Sequence, residues 1–85
     1  MEKLNLKLVK KAGIPTAHFA RICGATRVSA HWWLTGKFHP RGLYRERVAQ
    51  QLLKIENAMT AGRLPLPPNI KRDDAYKALL KALRS

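Results

Sequence analysis

Apolar residues recur every three or four positions along most of this chain, and glycines interrupt the recurrence. That period is the signature of helices that each bury one face. Leu4, Leu8 and Ala12 share a face over Lys3–Ala12, and Gly13 suits the position just past a helix end. Pro15 and Thr16 open the next helix, with Pro15 at the first helical position or Thr16 as its cap. This helix buries Phe19, Ala20 and Cys23 and stops at Gly24. After Ala25 and Thr26, a second short helix runs from about Arg27 to Thr35 and closes at Gly36.

Residues 37–42 hold Pro40 and Gly42 and read as a loop. A longer helix spans about Leu43 to Ala61, with Tyr44, Val48, Leu52, Ile55 and Met59 as its apolar stripe and Gly62 as its stop. The stretch RLPLPPN is proline-rich and reads as extended. The last helix covers Asp73 to Arg84, with Asp73 and Asp74 in its first turn and Lys81 and Arg84 in its last. Those charges match the helix dipole at both ends. Its apolar face is Tyr76, Leu79, Leu80 and Leu83. No strand-like alternation, repeat or low-complexity tract is visible. The expected fold is all-α, a compact domain of four to five helices. Residues 1–62 form the main unit, 63–70 a linker, and 71–85 a C-terminal helix that is a candidate dimerisation element.

Charge narrows the function. Eighty-five residues make one domain with a modest core. Lys and Arg number 17 against five Asp and Glu, giving +12. Such an excess attracts polyanions, nucleic acid first among them, with an anionic membrane or an acidic protein as the weaker alternatives. The single cysteine, Cys23, allows no intrachain disulfide and fits a cytoplasmic protein. The N-terminus does not read as a signal peptide, and no apolar run is long enough to cross a bilayer.

Pro15 to Lys37 carries the sharpest signal. Two short helices joined by a glycine turn can pack closely only if the residues at their crossing are small, and Ala20 and Gly24 meet that need. Ala30, Trp33 and Leu34 are spaced to hold the second helix down. Its outer side is then Arg27, Val28, His31 and Trp32, with Thr26 and Ser29 at its entry. Neighbouring helical residues point about 100° apart, so Trp33 is expected in the core and Trp32 partly exposed.

The run FARICGATRVSAHWWLTG resembles the phage Cro/repressor-type helix-turn-helix family. The pattern is an Ala at the fifth position of the first helix, a turn glycine, a Val-Ser pair, and a second helix ending Trp-Leu-x-Gly. It covers about residues 3–60 and is strong over 15–36. The chain departs from the pattern at Pro15, where a capping Thr or Ser is usual, and at Trp32, where a polar or basic residue is commoner. The resemblance implies a lambda repressor-like fold and places Thr26, Arg27, Val28 and Trp32, with His31 beside them, where members touch base edges. It implies phosphate contacts for Thr16 and Lys37.

Side-chain chemistry agrees. Arg27 can donate two hydrogen bonds to guanine, and Val28 can meet a thymine methyl. Thr26 and Ser29 can reach a base or a phosphate. Lys37, His39, Arg41, Arg45 and Arg47 are candidate phosphate grips, which position a protein without reading sequence. His18, His31 and His39 have no metal-ligand spacing with Cys23, so no metal or other cofactor is expected. Cys23 reads as a small core residue. No nucleophile–base pair, carboxylate pair or phosphate-cradling loop is visible, so no enzyme is expected.

The expected function is a transcriptional regulator of phage or prophage type. It would act as a repressor and homodimer on a pseudo-palindrome of double-stranded DNA, with half-sites about 34 Å apart. The long fourth helix and the C-terminal helix are the candidate dimer elements. The alternative is an antitoxin or protein-interaction module that inhibits a protein partner. RNA binding is weaker, since Trp32 alone offers an exposed stacking surface.

Overall fold

A computed structural model describes residues 4–66 and 69–84. Five α-helices follow one another among these residues, and no strand is present: α1 (Lys7–Lys11), α2 (Thr16–Cys23), α3 (Arg27–Thr35), α4 (Leu43–Thr60) and α5 (Arg72–Arg84). The radius of gyration is 12.2 Å, that of a compact chain of this length.

The helix ends follow from backbone chemistry. Gly24 (φ +69°) and Gly36 (φ +81°) adopt the left-handed conformation, which costs a residue with a Cβ roughly 1–2 kcal/mol. Each closes its helix with a pair of reversed hydrogen bonds. The amide of Gly24 donates to Arg21 and that of Ala25 to Ala20; the amide of Gly36 donates to Trp33 and that of Lys37 to Trp32. These Schellman closures satisfy carbonyls that the helix leaves orphaned. The same bond pattern closes α1 at Gly13 and α4 at Ala61–Gly62.

Helix starts are less uniform. Thr26 caps α3: its hydroxyl accepts from the amide of Ser29 at 3.1 Å. Pro15 takes neither of its expected roles with Thr16. It is itself the N-cap of α2, extended at φ −62° and ψ 148°, and its carbonyl accepts from the amide of Phe19. Thr16 is therefore the first helical residue. α1 is shorter than the apolar spacing suggests; Lys3 lies outside the described residues, and Leu4 to Leu6 precede the helix. Its N-cap is Leu6, which offers no side-chain acceptor, and no acid stands in its first turn to stabilise an earlier start.

One core joins all five helices. Val9, Phe19, Cys23, Ala30, Trp33, Val48, Leu52, Ile55, Ala58, Leu79 and Leu83 are among its buried members. Fully burying a residue such as Phe19 or Ile55 stabilises by roughly 1.5–3 kcal/mol. Pairwise, α2 packs on α3 and α4, and α4 packs on α1 and α5. In α4 the buried stripe is Val48, Leu52, Ile55 and Ala58, with Met59 at its margin. Tyr44, expected on that stripe, is 42% exposed instead. Its helix begins at the rim of the core, and its ring lies 5.6 Å from that of Trp33.

The apolar face of α5 is covered within the chain. Leu79, Ala82 and Leu83 are buried, while Tyr76 and Leu80 are half-buried. The connection into α5 is pinned as well: Leu64 is buried, and Nε of Arg63 donates to the carbonyl of Ala82 at 2.9 Å. The linker expected over 63–70 includes Pro67 and Pro68, which lie outside the described residues. No helix among the described residues is long and apolar enough to cross a membrane.

Candidate nucleic-acid interface

α3 presents the face the sequence assigned to it. Ala30 and Trp33 turn inward and are buried, with Leu34 half-buried beside them. That orientation leaves Arg27, Val28, His31 and Trp32 on the exposed side. These positions are spaced i, i+1, i+4 and i+5, so they share one helix face. Val28 is 56% exposed and Trp32 36%.

Thr26 and Ser29 are tied together at the entry of α3. Besides capping the helix, the Thr26 hydroxyl donates to Ser29 Oγ at 2.9 Å. Thr26 thus uses its hydroxyl as both donor and acceptor within the chain. The proton of Ser29 remains to be donated to an acceptor beyond the helix, a role that suits a phosphate oxygen.

The candidate phosphate contacts divide into two groups. Thr16, at the start of α2, lines one groove with His31, Thr35, His39 and Arg45. Lys7, Lys10 and Lys11 of α1 line the same groove, which adds three cations to which the sequence assigned no role. Lys37 lies elsewhere, against the end of α3, with Nζ 5.7 Å from the Trp32 ring. Arg41 is exposed in the following loop. His18 is drawn away from the face altogether and packs edge-on against Tyr76 of α5 at 5.4 Å.

Two features were not foreseen. One is Phe38, 50% exposed, whose ring meets Trp32 edge to face at 5.0 Å. A lone aromatic in the loop gives no periodic signal, and the residue that a Schellman closure would fold back on the helix is Lys37. The other is where Arg47 of α4, expected only as a phosphate grip, is placed. A Cβ built on Gly24 would stand 3.1 Å from a guanidinium nitrogen of Arg47, so this cation lies directly against the α2–α3 turn.

No Asp or Glu occurs between Lys3 and Glu46. α1, α2, α3 and the loop before α4 therefore carry cations without a single opposing carboxylate of their own. Cys23 lies beneath this face, and burial pushes its thiol up to about 12, so it stays protonated and unreactive at neutral pH.

The chain matches no protein-family model, no curated protein and no solved structure.

Proposed function

We propose that this protein is a sequence-specific DNA-binding transcriptional regulator whose α2–turn–α3 unit is a helix-turn-helix. In this reading α2 lies across the backbone and α3 enters the major groove, in the manner of lambda repressor-like domains. The observation that carries the proposal is the outer face of α3. It holds out a guanidinium, a branched apolar side chain, an imidazole and an indole on a single helix surface, in a region without acids. Arg27 supplies a bidentate donor for guanine, and Val28 supplies an apolar surface for a thymine methyl.

Thr16, Ser29, Lys37, Arg41 and Arg45 hold phosphates around this contact, and the lysines of α1 extend the grip along the groove. The protein acts as a phage or prophage type repressor, binding as a dimer to a pseudo-palindrome, because one such helix covers too few base pairs for a specific site. Selection of bound sequences from a random duplex pool tests both parts. A palindromic consensus with half-sites one helical turn apart supports the reading. Recovery of unenriched sequence, with binding that only tracks salt, refutes it.

A protein-binding reading has one observation in its favour: Phe38, Leu43 and Leu53 are large apolar side chains held at least half exposed. Binding to duplex that weakens steeply with salt separates the two, since a module that only binds protein has no phosphates to neutralise.

A further inference from the structure

Trp32 and Phe38 form one exposed unit at the end of α3. Their rings meet at 5.0 Å and an interplanar angle of 68°. Backbone bonds enforce the pairing: the amides of Lys37 and Phe38 both donate to the carbonyl of Trp32, folding the loop back over the last turn of the helix. Lys37 stands over both rings, with Nζ 5.7 Å from the Trp32 centroid and 6.0 Å from that of Phe38. The result is an apolar ledge with a cation on its edge, one turn along the same helix face from Val28.

The charge and shape of this ledge select its partner. A cation held over an aromatic pair, in a stretch of sequence without acids, suits an apolar group that lies next to an anion. The major groove of DNA offers that combination at one base only, because thymine alone carries a C5 methyl on its groove edge, close to the backbone phosphates. We propose that Trp32 and Phe38 together read a thymine by its C5 methyl, while Lys37 holds the adjoining phosphate. The proposal rests on the DNA-binding reading above and adds to it a specificity-determining residue, Phe38, that lies outside the helix itself.

The test crosses protein and DNA changes. The wild-type chain, Phe38→Ala and Trp32→Leu are each titrated against the selected duplex and against copies in which one thymine at a time is replaced by deoxyuridine. Deoxyuridine keeps the pairing and loses only the methyl. One thymine per half-site should cost the wild-type protein about fourfold in affinity, the worth of one buried methyl. That penalty should vanish in Phe38→Ala and in Trp32→Leu while the other positions respond as before. Melting curves confirm that each variant is folded, and because Phe38 is half exposed its truncation should leave the transition in place. If every deoxyuridine penalty is the same in all three proteins, the ledge does not read thymine, although the protein remains a sequence-specific binder. If the wild-type chain does not distinguish the selected duplex from a scrambled one, the DNA-binding reading fails and takes this proposal with it. If either variant instead loses affinity equally for all duplexes, the ledge is a general contact and the methyl assignment is overturned.

Discussion

The guanidinium of Arg21 lies 4.1 Å above the ring of Tyr76, which fastens α2 to α5. A cation stacked this way contributes about 0.5–1 kcal/mol at an exposed site. The contact joins two segments that the sequence reading placed in separate units. With Leu79 buried in the common core, α5 is a structural part of the domain that carries the α2–α3 face.

Leu79→Ala should therefore destabilise the whole protein, by about 2–5 kcal/mol, in a single transition. Urea unfolding followed at the tryptophans, both of which lie in α3, is the measurement. An unchanged midpoint would mean that α5 does not share the core. A chain ending at Gly62 should likewise lose cooperative unfolding, because the core would lose Leu64, Leu79, Ala82 and Leu83.

Arg27→Ala and Lys37→Ala should weaken DNA binding in different ways. Arg27→Ala should cost about 1–3 kcal/mol on the selected duplex and relax the preference at one base pair. Lys37→Ala should weaken all sequences alike and reduce the salt slope by about one. Anisotropy titrations over a salt series distinguish them; equal losses for Arg27→Ala on specific and random duplex would reduce that residue to a phosphate contact.

Gly24→Ala and Gly36→Ala should each lower stability by about 1–2 kcal/mol, since both replace a left-handed glycine. They differ in what the new methyl meets. At Gly36 there is open space, whereas at Gly24 the methyl would press on the Arg47 guanidinium. Any excess cost of Gly24→Ala should disappear in the double variant with Arg47→Ala. Thermal melts of the wild type, the three single variants and the double variant give the comparison.

Alkaline pH should act through Cys23. Its thiol stays neutral in the folded protein up to about 12, while the unfolded chain ionises near the ordinary value of 9.0. The unfolded state thus releases a proton that the folded state keeps. The resulting stability is complete below about pH 9 and is lost as pH rises toward 12. Cys23→Ala should flatten this part of the curve. At pH 8 a thiol reagent should react slowly with the native protein and fast in denaturant; rapid native reaction would show that the thiol is not shielded.

The helices were legible because each follows from a local rule. Gly24 and Gly36 marked the ends of α2 and α3 by their freedom at positive φ, and the spacing of Ala30 and Trp33 set which face of α3 turns inward. Trp32 was legible for the same geometric reason, as the neighbour that cannot share the burial of Trp33. What escaped depends on contacts across sequence. The docking of α5 requires Tyr76 to meet Arg21 and His18, and Leu64 to enter the core, none of which a periodic pattern can express. Phe38 escaped because a single aromatic among Lys, His, Pro and Gly gives no period at all. The lysines of α1 joined the candidate site only when the fold set them along the groove that contains Thr16 and Arg45.

The missing carboxylates between Lys3 and Glu46 have a kinetic consequence. All the acids among the described residues, Glu46, Glu56, Asp73 and Asp74, belong to α4 and α5, so the cations of those helices are partly offset and those of α1, α2 and α3 are not. A polyanion then exerts a torque as well as a pull, turning the protein during its approach. If the proposed DNA binding holds, this torque pre-sorts collisions with α1, α2 and α3 leading, and the association rate should fall steeply as salt is raised.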